Sequence, residues 1–180
     1  MKYDNRHAPE FDTTDLAILE LLQENCKQPL AAIGAKVGLK APSVNERIHK
    51  LEEAGVITGY VALLEGRRLG KEVSAFIGLS TDRPRTIGQL EREVAAIDDI
   101  QECHHVTGSF TLIIKVKTQS TESLERLIEQ IRALDGVART ETMVVLSTSA
   151  ERPRIALSDL EESPTRPTRR SGARERRSAR

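Results

Sequence analysis

The chain has 180 residues, of which 38% are hydrophobic, and it carries 27 basic and 27 acidic side chains. This length fits one ordinary domain or two small ones and excludes a large multidomain enzyme. The net charge of zero excludes polyanion binding driven by overall charge, and 3% aromatic residues without tryptophan disfavour the stacking platforms that bind single-stranded nucleic acids. Apolar runs are far shorter than the about 20 residues that cross a bilayer, and two cysteines are too few for a disulfide framework. We therefore expect a cytoplasmic protein with reduced thiols.

Three amphipathic helices are predicted in the first third of the chain. Apolar residues recur there at helical spacing, and Asp12 or Thr13 can cap the first helix. Pro29 suits the first turn of the second helix, and Gly38 suits its left-handed exit. The predicted helices are Asp12–Glu24, Leu30–Val37 and Pro42–Ala54, and the last presents an apolar seam of Val44, Ile48 and Leu51.

Two short helices joined by a tight glycine-containing turn, with a third helix before them, have the layout of a helix-turn-helix, although many small helical bundles share it. From Lys36 to Lys50 there are four basic residues and one acidic residue, so this stretch has a charge of +3. Positive charge is thus concentrated where a phosphate backbone would lie, and a solvated helix face is the alternative. Opposite the seam, the third helix carries Pro42, Ser43, Glu46, His49 and Lys50, with Asn45 and Arg47 on the flanks.

A strand is predicted directly after the third helix, and the pattern then runs strand, helix, strand, strand, helix, strand. This order is that of a ferredoxin-like βαββαβ fold, so the predicted class is α+β, with a winged-type helix-turn-helix first. Two helices cover one face of such a sheet, and a partner subunit is the natural cover for Ile113, Met143 and Val145 on the other. The predicted strands are Val56–Leu63, Val73–Ser80, Ile100–Val106, Phe110–Val116 and Val137–Leu146, and the later helices contain Ile87, Leu90 and Val94, and Glu122–Leu134.

The composition changes near the end of the chain. Between Ser163 and Arg180 there are seven arginines, one glutamate and no large apolar residue, which predicts a disordered basic tail. Such a tail either adds non-specific DNA affinity or is only solvated. The predicted parts are a polar lead (1–11), a helix-turn-helix domain (12–60), a linker (61–70), a ferredoxin-like domain for effector binding and oligomerisation (71–150) and the tail (151–180).

Both halves contain segments that resemble one family. The third helix reads Asn45-Glu46-Arg47-Ile48-His49-Lys50-Leu51-Glu52 and runs into Gly55-Val56-Ile57-Thr58-Gly59-Tyr60, and the second half has Ile100-Gln101-Glu102-Cys103, Val106-Thr107-Gly108-Ser109-Phe110 and Leu134-Asp135-Gly136-Val137. In this order, they resemble the leucine-responsive regulator/AsnC (Lrp/AsnC) family of transcription regulators. The resemblance implies a homodimer, often assembled into tetramers or octamers, that binds double-stranded operator DNA and holds a small amino acid at subunit interfaces.

The resemblance also implies the site residues. It places Arg47 against DNA, whereas the position of Arg47 beside the apolar seam fits a structural or phosphate-positioning role equally well. Where members often have Ser-Pro at the start of the third helix, this chain has Lys40 and Ala41, so either a shifted cap or a later helix start is expected. The implied DNA contacts are Lys40, Ser43, Asn45, Glu46, Arg47, His49 and Lys50. The implied effector contacts are Gly108, Ser109, Thr111, Thr121, Met143, Val144 and Val145.

The effector turn departs from the family pattern. Members often carry an acidic residue on each side of the aromatic in a Gly-x-aromatic-x segment, where this chain has Ser109 and Thr111 around Phe110. An acid at the second position would hold a ligand ammonium through a charge-assisted hydrogen bond worth about 1.5–3 kcal/mol, which Thr111 does not supply. We therefore expect an effector other than leucine, weaker binding, or no effector.

Metal and enzyme sites have little support. Cys103, His104 and His105 are adjacent, but alternation along a strand places only Cys103 and His105 on one face, with no fourth ligand near. No glycine-rich phosphate loop, nucleophile elbow or paired zinc motif is present, so no cofactor, metal or catalytic residue is predicted. Two alternatives stay open. Sirohaem decarboxylases resemble this family in both modules, and His104, His105 and Arg139 would then contact propionates; the other alternative is a ligand-binding oligomer without DNA binding.

Overall fold

The computed structural model describes residues 11–82 and 87–158. These residues form two compact units: 11–61 with 152–158 make the first, and 62–82 with 87–151 make the second. The polar lead before residue 11 and the arginine-rich part of the tail lie outside the described residues. Within the described part, no helix is both long enough and apolar enough to span a membrane.

Three helices make up most of the first unit: α1 (Thr13–Glu24), α2 (Leu30–Val37) and α3 (Ala41–Glu53). Asp12 caps α1, as predicted, because its carboxylate accepts a hydrogen bond from the Asp15 amide at 2.8 Å. In return, the Asp15 carboxylate accepts from the Asp12 amide at 3.2 Å. Gly38 ends α2 in the left-handed conformation, with φ 71°, and Pro29 is the N-cap residue of α2 rather than part of its first turn.

The start of α3 differs from both expectations. The helix begins at Ala41, and its N-cap residue is Lys40, whose side chain makes no capping hydrogen bond. Neither a shifted cap nor a later start is therefore found. Pro42 fits within the first turn because the first amides of a helix have no intrahelical partner in any case.

The helices pack around a small core formed by Ile18, Ile33, Val44 and Ile48. The predicted apolar seam of α3 is confirmed, since its three residues are all buried. Gly34 lies where α2 meets the turn that leads to α3. A Cβ at Gly34 would be 2.4 Å from the carbonyl oxygen of Leu39, so only glycine permits this close approach.

The strand predicted over Val56–Leu63 is not found, and the prediction is wrong. The Val56 amide donates to the Leu51 carbonyl at 2.9 Å, which closes the end of α3 instead of starting a ladder. Farther along, Val61 and Leu63 are 80% and 72% exposed. A strand needs a neighbour to pair its amides and carbonyls, and the only sheet within the described residues does not include this segment.

The second unit is an antiparallel sheet in the order β2-β3-β1-β4 with two helices. A short 3₁₀ helix precedes it at Gly66–Leu69. The α+β class and the ferredoxin-like βαββαβ order are confirmed. The strands are β1 (Val73–Ser80), β2 (Ile100–His105), β3 (Leu112–Thr118) and β4 (Arg139–Val144), and the helices are α4 (Ile87–Ala95) and α5 (Thr121–Arg132).

The bounds of β1 are as predicted, but β3 starts two residues later than predicted. Phe110 and Thr111 belong to the preceding turn, where the Thr111 amide donates to the Leu79 carbonyl at 2.7 Å. The Phe110 ring lies over Gly78, because a Cβ on Gly78 would meet this ring at 2.6 Å. The end of β3, Thr118, is likewise two residues later than predicted, and the remaining strands, β2 and β4, are shorter than predicted.

The two faces of the sheet differ. Ala75, Ile77 and Leu79 of β1 are fully buried in one core with α4 and α5. On the opposite face, Phe76 and Met143 are paired across β1 and β4 and are 37% and 43% exposed. Ile113 on β3 is paired with Gly78 and shares this face, and Val145 follows the end of β4, where its amide donates to the Ser74 carbonyl at 2.9 Å. As predicted, this face carries apolar side chains that the two helices do not cover.

Candidate DNA interface and effector site

The surface of α3 opposite its buried seam presents polar side chains that are exposed to solvent. Glu46, His49 and Lys50 are exposed, and Lys40 is exposed at the start of the helix. The Lys50 ammonium lies 2.8 Å from Glu46 Oε1, and this hydrogen bond lowers the pKa of the Glu46 carboxyl. The exposed members of the predicted DNA-binding set are Lys40, Ser43, Asn45, Glu46, His49 and Lys50.

Arg47 is directed differently from these residues. Its Nη1 lies 2.7 Å from Asp12 Oδ2 and 2.7 Å from Asp15 Oδ1, at the N-terminus of α1. Hydrogen bonds to Asp15 and then Asp12 raise the pKa of the guanidinium. The pKa of Asp12 is lowered, first by the Asp15 amide and then by Arg47. Arg47 therefore joins α3 to the cap of α1.

The predicted effector turn is anchored on the end of β1. Besides the Thr111 amide bond, Thr111 Oγ1 accepts from the Thr81 amide at 3.3 Å, and Ser80 Oγ donates to the Ser109 carbonyl at 3.1 Å. Gly108 has φ 118°, a conformation that side-chain-bearing residues rarely adopt. The turn thus has a defined shape, and Ser109 and Thr111 give it two hydroxyl groups and no carboxylate.

The structure does not bring the seven predicted effector residues together within one chain. Gly108, Ser109 and Thr111 lie beyond the C-terminal end of β1, whereas Val144 pairs with Ala75 near its start. Thr121 follows the far end of β3, about 20 Å along the strand from the turn at 3.3–3.4 Å per residue. One chain therefore presents separate parts of the predicted site and not a single pocket.

The register of β2 and β3 places the cysteine and histidines of the considered metal site. Cys103 pairs with Ile114 and His105 with Leu112, so these two share one face and His104 points to the other, as predicted. The shared face is the one that the helices cover. Burial raises the pKa of the Cys103 thiol. His105 Nδ1 lies 3.3 Å from Glu91 Oε1. Among residues 11–82 and 87–158, no group of histidine, cysteine and acidic side chains is arranged to hold a metal ion.

The three residues considered for propionate binding do not converge either. His104 and His105 lie on β2, and Arg139 lies on β4. These strands are the two edges of the sheet, about 14 Å apart at 4.7–4.9 Å per strand. The Arg139 guanidinium is paired with Glu141 at 2.9 Å. Within one chain, these residues form no common site.

Comparison with known families and proteins identifies both units. Residues 11–52 match the AsnC-type helix-turn-helix domain, and residues 74–155 match the Lrp/AsnC ligand binding domain. The chain is 38% identical over 143 residues to the uncharacterized HTH-type transcriptional regulator YezC of Bacillus subtilis (strain 168), across 79% of this chain and 99% of YezC. The chain belongs to the Lrp/AsnC family of transcriptional regulators.

Further similarities to the Lrp/AsnC family agree over nearly the same extent. The chain is 31% identical over 141 residues to the regulatory protein AsnC of Escherichia coli (strain K12), across 76% of this chain and 90% of AsnC. The structure of E. coli AsnC has a TM-score of 0.75 at 28% identity and covers 80% of this chain and 97% of AsnC. The protein is therefore a DNA-binding transcriptional regulator with a ligand-binding unit, as the sequence motifs imply.

Two close approaches at glycines in this Lrp/AsnC regulator were not predicted from the sequence. Gly34, inside α2, permits the close helix-turn-helix turn, and a glycine inside a helical pattern is a signal for such an approach. Gly78, inside β1, makes room for Phe110, and a glycine in a strand is the corresponding signal for a close approach. The partners of Arg47 had no signal in the sequence, because they lie more than 30 residues away on another helix.

Proposed function

We propose that the exposed face of α3 reads operator DNA and that Arg47 holds this helix in place instead of contacting a base. The observation that carries the proposal is the division of α3 into a buried seam and an exposed face with amide, hydroxyl and charged groups. Amide and cationic side chains pair with purine edges in the major groove, and a carboxylate accepts from the cytosine amino group. In this proposal, the donors are Asn45, His49 and Lys50, and the acceptor is Glu46.

Phosphate contacts are proposed for two residues near the start of α3, Lys40 and Ser43.

This interface is tested by a gel-shift titration against the DNA upstream of the protein's own gene at two salt concentrations. At both salt concentrations, Lys50→Ala is expected to weaken binding to this fragment more than binding to unrelated DNA, because it removes a donor proposed to contact a base edge. The control is Lys27→Ala, which removes the same charge from an exposed site of the same unit outside α3. Equal effects of both substitutions would contradict a specific role of α3.

We also propose that the second unit dimerises through the sheet face that its helices leave uncovered. Phe76, Ile113 and Met143 form an apolar patch there, and apolar surface of this kind is typically covered by a partner. A twofold dimer would present two α3 helices about 34 Å apart, or a multiple of that distance, along the DNA.

The proposed interface is tested by a substitution in the apolar patch. Met143→Glu is expected to shift sedimentation toward the monomer, whereas Glu129→Gln on the exposed surface of α5 leaves the assembly unchanged. An unchanged assembly in Met143→Glu would contradict this interface.

The effector site is proposed to form between subunits, because one chain separates its predicted parts. A fold relative from Neisseria meningitidis, with a TM-score of 0.80 at 22% identity, was solved as a complex with L-Met and covers 84% of this chain. At the turn of the present protein, Ser109 and Thr111 offer hydroxyls and no negative charge to a ligand ammonium. The proposed effector is accordingly a small amino-acid-like molecule other than leucine, bound weakly. Calorimetric titration with the twenty amino acids tests this, and tight leucine binding would contradict it.

The proposed role is regulatory and not enzymatic, in the cytosol. Related proteins are named transcriptional regulators, and neither Cys26 nor Cys103 forms a disulfide. Incubation with a sirohaem precursor is expected to produce no decarboxylation, and product formation would contradict the proposal.

A further inference from the structure

The chain turns back along α3 directly after this helix ends. The amides of Val56 and Ile57 both donate to the Leu51 carbonyl, at 2.9 Å and 3.2 Å. The Ile57 side chain is partly buried against the small core of the first unit. Gly55 permits the turn because its φ of 69° lies in the left-handed region. The turn is thus held by backbone hydrogen bonds and by a packed side chain.

This turn brings Tyr60 to the side of α3. The Tyr60 hydroxyl donates a hydrogen bond to Glu52 Oε1 at 2.9 Å. Partial burial, and then the hydrogen bond to Glu52, raises the pKa of the Tyr60 hydroxyl to about 12. The hydroxyl therefore keeps its proton at neutral pH and remains a donor. Tyr60 restrains the Glu52 carboxylate from outside the helix.

Glu52 also lies next to a residue that is proposed to contact DNA. Its second oxygen, Oε2, lies 3.5 Å from His49 Nδ1, and residues spaced i and i+3 are neighbours on a helix surface. The His49 side chain is 69% exposed, whereas the Glu52 side chain is 35% exposed. The more enclosed carboxylate is therefore the group that can hold the more exposed ring. Glu52 uses its two oxygens for two different partners.

The position of Glu52 determines which nitrogen of His49 is left for DNA. The two ring nitrogens of a histidine have separate partners, and a contact at one sets the direction of the other. With Nδ1 facing Glu52, Nε2 is directed away from this carboxylate. A side chain that is already restrained loses less conformational entropy when it binds, so its contact contributes more to affinity.

We propose that Glu52 is a positioning residue for base recognition: supported by Tyr60, its carboxylate holds the His49 ring so that Nε2 meets a base edge. The inference rests on the proposed contact of His49 with operator DNA. Glu52 acts through His49 and needs no DNA contact of its own. Through Tyr60, residues beyond the end of α3 then contribute to the choice of base.

The experiment measures binding of the full chain to operator fragments in which each base pair is changed singly. Discrimination at a position is the ratio of the affinities for the unchanged and the changed fragment, and a read position is expected to give about five- to 30-fold. His49→Ala identifies the position that His49 reads, because discrimination is lost there. Glu52→Gln is expected to lower discrimination at this same position by about two- to tenfold. Glutamine has one acceptor oxygen and no charge, so it cannot serve both Tyr60 and His49.

The matched control is Glu53→Gln, which removes a negative charge from the adjacent, exposed residue of α3. Both substitutions reduce the repulsion between the protein and the DNA phosphates, and this effect is the same for every fragment. Only Glu52→Gln should lower discrimination at the position that His49 reads. Equal discrimination by the two variants at this position would overturn the inference.

A double-mutant cycle separates positioning from general support of the fold. In the His49→Ala background, Glu52→Gln should have no further effect on discrimination, because the ring that it positions is absent. A further loss there would overturn the positioning role. Tyr60→Phe removes only the hydroxyl and should also lower discrimination at the same position, whereas no change would overturn the part assigned to Tyr60. Melting curves verify that each variant is folded.

The same measurements distinguish failure of this inference from failure of the function on which it rests. If His49→Ala changes discrimination at no position, the proposed contact of His49 with DNA is contradicted and, with it, this inference. If His49→Ala acts at one position and Glu52→Gln does not, the contact stands and the inference alone is overturned.

Discussion

Replacing Arg47 with methionine tests whether this residue stabilises the helix-turn-helix or reads DNA. Arg47 Nη1 makes two hydrogen bonds of 2.7 Å, to Asp12 and Asp15. The Arg47 and Asp15 side chains are 32% and 16% exposed, whereas Asp12 is 52% exposed, so solvent screens the Asp12 pair more strongly. Surface pairs contribute about 0.2–1 kcal/mol each, and better shielded ones more. We therefore expect Arg47→Met to lower the free energy of unfolding by about 1–2 kcal/mol.

A double-mutant cycle with Asp15→Asn isolates the pairwise interaction. Asparagine keeps an oxygen that can accept from the Asp12 amide, so the cap is retained while the charge is removed. Thermal unfolding followed by circular dichroism should give a coupling free energy of about 1 kcal/mol between the two substitutions. A coupling below about 0.3 kcal/mol would refute the reasoning. Undiminished stability of Arg47→Met with lost DNA affinity would place Arg47 on the DNA instead.

The cost of Arg47→Met should also depend on pH through Asp12. The pKa of Asp12 is lowered below its ordinary value of 3.8 in the folded protein, so ionised Asp12 stabilises the fold. This contribution is fully present well above pH 3.8 and is lost as the pH falls through the lower folded pKa. The difference between the melting temperatures of Arg47→Met and the unmodified protein should therefore become smaller on acidification, by the part that comes from the Asp12 pair. A difference that stays constant down to the acid limit would contradict this link.

Two glycine substitutions test the close approaches. Gly34→Ala should destabilise the first unit by about 1–3 kcal/mol, because its Cβ would lie 2.4 Å from the Leu39 carbonyl oxygen and the backbone must move. The control Gly88→Ala, with only a side-chain nitrogen at 4.0 Å, should be neutral or stabilising in the same melting experiment, and equal behaviour of the two would contradict the account. Gly78→Ala should displace the Phe110 ring and destabilise the second unit by about 1–3 kcal/mol. Measured next to Phe110→Ala, its effect should be much smaller in that background than alone, and simple additivity would contradict the contact.

Periodicity predicted most of the fold because it records which side of an element is buried. The seam of Val44, Ile48 and Leu51 was visible at helical spacing, and β1 was visible in Val73–Ser80. The segment Val56–Leu63 has the composition of a strand, but strand formation depends on a neighbour, which composition does not specify. Local sequence therefore predicts the type of a secondary-structure element more reliably than it predicts which other segment pairs with it or packs against it.

The candidate sites show the same difference between what local sequence predicts and what tertiary contacts determine. The exposed face of α3 followed from a helical wheel, because residues on one helix have fixed relative directions. The direction of the Arg47 side chain could not be predicted from the wheel, because its position beside the seam allows contact with either solvent or α1. The effector residues were named from the family pattern, yet their separation along β1 and β3 depends on strand register, which a linear motif does not encode.

If the effector site forms between subunits as proposed, the separation of Gly108, Thr121 and Val144 within one chain would link ligand sensing to protein abundance. A site completed only on association exists only in the associated form, so ligand and partner stabilise each other by mass action. At low copy number, part of the ligand's binding free energy offsets the free-energy cost of subunit association, so the apparent affinity for the ligand falls. The same ligand concentration then elicits a weak response in a cell with few copies of the regulator and a strong one in a cell with many.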